Sequence, residues 1–162
     1  MDKKYDVILV GAGPAGIFSA YELIKKDPTL KVLLVEKGND IYSRKCPILA
    51  KKVDKCPSTG TCYPSCSMTS GFGGCGAYSD GKFNITSEFG GWMTDYLSEE
   101  EVLDLIRYVD TINLEHGAPK ELTDPYTKEV YDIERKGIAH GLKLLRSEVR
   151  HLGTEVNLQV LK

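Results

Sequence analysis

Three glycines and one acid near the amino end have the types and spacing that suit a diphosphate-binding turn. Gly11, Gly13 and Gly16 follow a short apolar run, and Glu36 stands twenty positions after Gly16. The unpaired N–H groups and the dipole at a helix start attract an anion, and glycines let the backbone approach it closely. A carboxylate at this distance can accept hydrogen bonds from both ribose hydroxyls and would repel a 2′-phosphate. The pattern therefore predicts a site for the ADP part of a dinucleotide.

The elements that position these residues are a strand, a helix and a second strand. Residues 5–10 are almost continuously apolar and predict a strand that is buried on both faces, as in a parallel sheet. A helix is predicted over Pro14–Lys26, because proline suits a first turn and two lysines favour the last one. Lys31–Glu36 predicts the second strand. Residues 5–36 thus form a predicted βαβ unit of the α/β class with a parallel, Rossmann-like sheet.

Residues 38–95 are rich in Gly, Cys, Ser and Pro and predict long loops with short elements. A loop region of this length is usually functional. Within it, four of the six positions 71–76 are glycine (71, 73, 74 and 76), which would let the backbone pass close to a flat ring. A flexible surface loop is the alternative interpretation.

Two stretches carry a family resemblance. The run 6–16, followed by Val32 and Glu36-Lys37-Gly38, resembles the opening of the glutathione-reductase-like FAD superfamily. The run 71–84 is similar to the second flavin-contacting loop of the largely uncharacterised FAD-dependent dehydrogenases, or NAD(P)/FAD-dependent oxidoreductases, of bacteria and archaea. That group usually has Ala where this chain has Cys75.

The resemblance implies the FAD-binding portion of a flavin-dependent oxidoreductase, with hydride or electron transfer through non-covalent FAD to or from a small-molecule substrate. NAD(P)H is a candidate electron donor, and no catalytic residue can be named. A nucleotide-, metal- or iron–sulfur-binding module and an NAD-linked dehydrogenase stay open as alternatives. The implied cofactor-binding residues are Gly11, Ala12, Gly13, Pro14, Ala15 and Gly16 at the diphosphate, Glu36 and Lys37 near the adenosine, and Gly74, Gly76 and Ser79 on the flavin side.

Five cysteines lie within thirty residues, at positions 46, 56, 62, 66 and 75. Their spacing is neither the paired CxxC of structural zinc sites nor a ferredoxin pattern. Three interpretations are open. Cys56, Cys62 and Cys66, alone or with Cys46, could bind zinc or an iron–sulfur cluster. Alternatively, two cysteines could exchange electrons with flavin, or all could be packed thiols, which is the most ordinary case. Nearby, Arg44 and Lys45 follow the second strand at a loop where FAD proteins often place a cation near phosphate or ribose, but they are interpreted here as solvated loop charges.

The second half predicts two helices and a strand. Ser98 and Glu101 form a predicted capping box that begins a helix ending at Gly117. A further helix is predicted over Ile133–Leu152 and a strand over 155–161. Because nothing covers that last strand, residues 1–162 are interpreted as the N-terminal part of a three-layer FAD-binding domain that is incomplete at its C-terminus. Its segments are the βαβ unit 5–36, the flavin loop region 38–95, the helical segment 98–152 and the strand 154–161. The expected partner is the missing C-terminal part of the same protein.

Composition excludes several function classes. The chain has 162 residues, of which 41% are hydrophobic and 27% charged, and its net charge is −2. No basic patch predicts nucleic-acid binding, and no apolar run approaches the roughly 20 residues that span a bilayer. The amino end lacks the features of a signal peptide. We therefore expect a cytoplasmic protein with no nucleic-acid or membrane partner.

Overall fold

The computed structural model describes residues 4–56 and 66–162. The chain divides into two compact units, one of Met1–Ser79 with Leu161–Lys162 and one of Asp80–Val160. Both combine helices with short strands, so the expected mixed α/β class is confirmed. No helix in the described ranges combines the length and the apolar character that crossing a membrane requires.

The first unit contains the predicted βαβ arrangement. Strand β1 (Val7–Val10) and strand β2 (Val32–Val35) are parallel, with Val10 opposite Val35, and helix α1 (Pro14–Lys26) packs against both. β1 begins two residues later than predicted and ends where predicted, β2 is one residue shorter at each end, and the helix bounds are as predicted. The parallel sheet is therefore confirmed in this two-stranded form.

The glycine turn between β1 and α1 is sterically tight. Gly11 has a φ of 101°, a conformation that side chains with a Cβ rarely adopt. A Cβ added to Gly16 would lie 1.9 Å from the carbonyl oxygen of Gly11 and 3.3 Å from Leu34 Cδ1. The close approach of α1 to β1 and β2 therefore requires glycine at position 16.

Among its described residues, the rest of the first unit is mostly loop, with two short 3-10 helices, Ile41–Ser43 and Cys75–Tyr78. Ala12, Ile41 and Ala77 are fully buried and form its core. The Tyr78 hydroxyl lies 2.7 Å from the Ile41 carbonyl oxygen, which ties the two 3-10 helices together.

The second unit is built on a different sheet. Its strands, β3 (Lys82–Ile85) and β4 (Glu148–His151), pair antiparallel, with Lys82 opposite His151. Its helices are α2 (Glu99–Glu115), α3 (Lys128–Ala139) and most of α4 (Gly153–Leu161), with a 3-10 helix at Met93–Asp95. Within the described ranges the strands thus form two separate two-stranded sheets rather than one larger sheet.

The capping box predicted for α2 is confirmed. The Ser98 hydroxyl accepts a hydrogen bond from the Glu101 N–H at 3.3 Å, and the Glu101 carboxylate accepts one from the Ser98 N–H at 2.8 Å. Gly117, with a φ of 102°, follows the helix end as predicted.

Two predictions for the carboxyl end are wrong. The predicted helix Ile133–Leu152 ends at Ala139, because Gly141 takes a φ of 74° and the chain then enters β4. The predicted strand 155–161 is helix α4. Val156 and Val160 alternate as in a strand, but they are also four residues apart, so one apolar pattern fits both structures.

A buried ion pair joins α2 to β4. Arg150 is 3% exposed, and its guanidinium donates to both carboxylate oxygens of Asp110, at 2.5 and 2.7 Å. A further N–H of Arg150 donates to the Pro119 carbonyl at 2.6 Å. These hydrogen bonds from one planar guanidinium stabilise the second unit, because a two-stranded sheet alone would be only marginally stable.

Candidate functional site

A cleft opens at the carboxyl ends of β1 and β2. Its volume is about 350 Å³. Ligands of α/β proteins bind at this edge of a parallel sheet because the loops that follow the strands converge there. Its lining comes from three stretches of chain: Val10 and Gly11; Val35, Glu36 and Lys37; and Thr69, Ser70, Gly71 and Gly74.

Backbone amides hold the Glu36 carboxylate at this edge. Oε2 accepts a hydrogen bond from the Ala12 N–H at 2.8 Å, and Oε1 accepts one from the Gly38 N–H at 2.8 Å. The Ala12 N–H, followed by the Gly38 N–H, holds the pKa of Glu36 below its usual range, and partial burial opposes them. The carboxylate is therefore charged at neutral pH. It has about four lone-pair sites, so it can also accept hydrogen bonds from a ligand hydroxyl.

The start of α1 offers donors to an anion. Gly13 is the N-cap, no side chain caps the helix, and no acid lies in its first turn. The first N–H groups of a helix have no acceptor within it, and these carry part of the positive end of the dipole. A Cβ added to Gly13 would meet nothing within 4 Å, so the space in front of the turn is open.

The second glycine-rich loop packs against the first. The Gly73 N–H donates to the Ala12 carbonyl at 2.8 Å, and a Cβ added to Gly74 would lie 3.3 Å from Gly13 Cα and 3.4 Å from Pro14 Cδ. Gly74 has a φ of 64°, which favours glycine. The structure thus brings Gly74, predicted from sequence for the flavin side, beside the turn predicted for the diphosphate.

The other residues predicted to bind the cofactor differ in whether they line the cleft. Lys37 lines the cleft beside Glu36. Gly76 and Ser79 belong to the 3-10 helix at 75–78 and its C-cap, where the Ser79 N–H donates to the Gly76 carbonyl at 3.1 Å, and neither lines the cleft.

Arg44 is a buried residue, so its interpretation as a solvated loop charge is wrong. It is 3% exposed, and its guanidinium donates to four backbone carbonyls of the 67–74 segment. The acceptors are Ser67 at 2.8 Å, Met68 at 3.0 Å, Phe72 at 2.8 Å and Gly74 at 2.7 Å. Lys45, by contrast, is exposed as expected. The difference arises because the turns of the glycine-rich loop point carbonyls inward, and a buried carbonyl needs a donor.

The Arg44 side chain lies directly behind the wall of the cleft. A Cβ added to Gly71 would lie 2.7 Å from Arg44 Cδ and 3.0 Å from its Nε. The guanidinium also stacks on the Tyr78 ring, 4.9 Å from its centroid. Sequence analysis missed this role, because the partners lie more than twenty residues away and are backbone atoms.

The structure describes two of the three cysteines predicted as metal ligands, Cys56 and Cys66. Cys46, Cys56 and Cys66 line one small cavity of about 30 Å³, together with Pro47, Ile48, Ser67 and Met68. Within residues 4–56 and 66–162, no group of three or more His, Cys, Asp or Glu side chains is arranged to hold a metal ion. Cys62, the third predicted ligand, lies outside the described residues. Cys75 is exposed.

Comparison with known proteins gives one short similarity. No protein-family model and no solved structure matches the chain. A segment of 37 residues, 23% of this chain, is 46% identical to a protein of Dictyostelium discoideum named L-2-hydroxyglutarate dehydrogenase, mitochondrial. The matched segment covers 8% of that protein's length. Over this segment the chain is therefore similar to an oxidoreductase.

Proposed function

We propose that the first unit binds FAD non-covalently, as the N-terminal part of a Rossmann-like FAD-binding domain in a flavin-dependent oxidoreductase. The observation that carries the proposal is the Glu36 carboxylate, which two backbone N–H groups hold beside an open glycine turn. In this proposal the ribose of an ADP group binds in the cleft and its diphosphate binds at the helix start that follows Gly11.

The diphosphate binds at the start of α1. The N–H groups of Ala15 and Gly16 lie in the first turn of the helix, and no acidic side chain of that turn competes for them. Gly13 keeps the approach open, because no atom lies where its Cβ would be. Oxygens of a phosphate can therefore come within hydrogen-bond distance of the backbone.

The adenosine binds across the ends of the two strands. Val10 is 86% exposed and Val35 42% exposed, and both line the cleft, so they offer an apolar surface to the adenine ring. Glu36 accepts hydrogen bonds from the ribose hydroxyls. Its negative charge at neutral pH disfavours a ligand with a 2′-phosphate, so the proposal predicts FAD or NAD in preference to NADP at this position.

The redox assignment rests on resemblance and similarity. Residues 6–36 and 70–91 resemble FAD-dependent oxidoreductases. The protein that matches the chain over 37 residues is named a dehydrogenase, which is also an oxidoreductase. In this proposal Gly76 and Ser79 lie toward the flavin end of the cofactor. FAD supplies hydride or electron transfer when bound, while the chain binds and orients it.

A titration with FAD tests the proposal. Quenching of flavin fluorescence on addition of the purified chain gives the affinity, with ADP and NADPH as competitors. We expect ADP to compete and NADPH to compete at least about tenfold more weakly, because its 2′-phosphate meets the Glu36 charge. Glu36→Ala should weaken FAD binding by about tenfold or more, since it removes charge-assisted hydrogen bonds.

Two glycine substitutions form a matched pair. Gly13→Ala places a methyl group in the open space before the helix, so it should weaken FAD binding with little change in thermal stability. Gly137→Ala makes the same change in α3, where the added Cβ would meet only Leu142 Cβ at 3.7 Å, and should leave FAD affinity unchanged. The proposal fails if the folded wild-type chain does not quench flavin fluorescence, or if Gly13→Ala and Glu36→Ala both bind FAD like the wild type.

A further inference from the structure

Both residues whose amides hold Glu36 are themselves contacted by a second stretch of backbone. The Gly73 N–H donates to the Ala12 carbonyl at 2.8 Å. On the other side, a Cβ added to Gly38 would lie 2.6 Å from both the Cα and the nitrogen of Gly71, so these two backbones touch. Since Ala12 and Gly38 donate to the two oxygens of the Glu36 carboxylate, the stretch that contains Gly71 and Gly73 supports both residues that orient it.

Arg44 fixes the path of that stretch from the side away from the cleft. Its Nη1 donates to the carbonyls of Phe72 and Gly74, at 2.8 and 2.7 Å, and these are the residues on either side of Gly73. A Cβ added to Gly71 would lie 2.7 Å from Arg44 Cδ, so the side chain also packs directly on that backbone. A line of contacts therefore runs from the guanidinium through the loop to the amides that hold the carboxylate.

We propose that Arg44 is a positioning residue: it holds the backbone that orients Glu36 toward a ribose, and it does not itself contact the ligand. This role rests on the proposed function, because the ribose is that of the proposed FAD. A cation that follows the second strand could instead contact a phosphate or ribose directly, but the Arg44 guanidinium is buried and each of its three nitrogens donates to loop carbonyls. Loosening this loop should therefore weaken recognition of the ribose hydroxyls in particular.

Competition between FAD and two nucleotides measures how well the ribose is recognised. ADP carries both ribose hydroxyls, whereas 2′,3′-dideoxyadenosine diphosphate lacks them and keeps the adenine and the diphosphate. The wild type should prefer ADP by about tenfold or more, because the hydrogen bonds to a charged acceptor are lost with the hydroxyls. Arg44→Lys keeps the positive charge but not the planar fork of donors, and should reduce this preference to about threefold or less.

Tyr78→Phe is the matched control, because it weakens the same core and spares the contacts between Arg44 and the loop. The Tyr78 hydroxyl lies 2.7 Å from the Ile41 carbonyl oxygen and 3.0 Å from that of Arg44, and phenylalanine lacks this donor. The ring on which the guanidinium stacks is kept. The preference for ADP should therefore stay at the wild-type value. Arg44→Gln, which keeps a single amide donor group, is a second variant and should lower the preference as Arg44→Lys does.

Backbone NMR of the chain without FAD gives a second readout, which does not depend on the proposed function. The Ala12 and Gly38 amide protons donate to the Glu36 carboxylate, so their chemical shifts should follow its titration, and Glu36→Gln should remove the response. These two N–H groups, with a smaller contribution from that of Gly71, hold the pKa of Glu36 below its usual value of 4.5, while partial burial opposes them. In Arg44→Lys the midpoint should therefore move up towards that value.

The charges near the carboxylate are the same in the wild type and in Arg44→Lys. Lys37, which also lowers the pKa of Glu36, is unchanged, so an upward shift reports a change of geometry. Tyr78→Phe should leave the midpoint where it is.

The two readouts separate the failure of this role from the failure of the proposed function. A wild-type chain that does not bind FAD, but whose Glu36 midpoint rises in Arg44→Lys and not in Tyr78→Phe, removes the flavin assignment and supports the role of Arg44. The role is overturned if Arg44→Lys keeps the wild-type midpoint, if both Arg44 variants keep the wild-type preference for ADP, or if Tyr78→Phe loses as much as Arg44→Lys. It is also overturned if neither Arg44 variant folds, because Arg44 then acts on the core alone.

Discussion

Replacing Arg44 removes the donor from four backbone carbonyls at once. Ser67 is 8% exposed, so water cannot readily reach its carbonyl, whereas Met68, Phe72 and Gly74 are half-buried. An unsatisfied buried acceptor costs about 1–3 kcal/mol, and a hydrogen bond from a charged donor contributes about 1.5–3 kcal/mol. Taking the full cost at Ser67 and part of it at the other three, we expect Arg44→Met to lower the free energy of unfolding by about 3–5 kcal/mol.

The conservative variant separates charge from geometry. Arg44→Lys keeps the positive charge but replaces five donors in a planar fork by three on a single nitrogen. It cannot reach carbonyls on opposite sides of the loop at once, so we expect a loss of about 1–3 kcal/mol, between the wild type and Arg44→Met. Lys45→Met is the matched control, because Lys45 is the exposed neighbour, and it should change stability by less than about 0.5 kcal/mol.

Urea unfolding followed by far-UV circular dichroism measures these differences. A typical domain has about 5–15 kcal/mol of stability, so the Arg44→Met transition should move to a clearly lower urea concentration while Lys45→Met overlays the wild type. A loss of less than about 1 kcal/mol in Arg44→Met would refute the reasoning, since it would mean that water satisfies the loop carbonyls as well as the guanidinium does.

Four further substitutions probe the elements that carry the site and the second unit. Gly16→Ala should destabilise by about 2–3 kcal/mol in urea unfolding, because its Cβ would lie 1.9 Å from the Gly11 carbonyl oxygen. Glu36→Gln should flatten the acid side of the stability profile. The folded pKa of Glu36 is depressed, so the wild type has extra stability above the ordinary value of 4.5 and loses it as the pH falls through the folded pKa. Ser98→Ala should cost about 1 kcal/mol in thermal unfolding through loss of the helix cap. Arg150→Met should cost about 3–5 kcal/mol in urea unfolding, because it leaves the Asp110 carboxylate, whose side chain is only 13% exposed, without its partner.

Local signals predicted the parts of the fold that depend on neighbouring residues. The capping box at Ser98 and Glu101 is complete within four residues, and the start of α1 is set by Gly13 and Pro14. Both were therefore predictable from sequence. The parallel pairing of β1 and β2 followed in the same way, because a short helix between two apolar strands leaves few other arrangements.

The features of the fold that the sequence did not predict depend on partners far apart along the chain. Nothing around Lys82–Ile85 indicates a strand until β4, more than sixty residues later, pairs with it. Pairing with β3 also explains why residues 148–151 leave the helical pattern that precedes them. Arg44 is the same case for a side chain, because its acceptors are carbonyls whose direction depends on the backbone of the 67–74 loop. Residue types alone do not specify that direction.

The position of Glu36 follows from strand register rather than from its distance along the chain. Val10 lies opposite Val35 in the parallel pair, so Gly11 and Glu36 are the next residues on the two strands, and the Gly11 N–H donates to the Val35 carbonyl at 2.7 Å. A slip of one residue would turn the carboxylate to the other face of the sheet, away from the Ala12 N–H. Because two amides already fix this carboxylate, an incoming ribose would meet an acceptor that loses little side-chain freedom on binding. The amides that order Glu36 therefore also lower the entropic cost of binding a ribose.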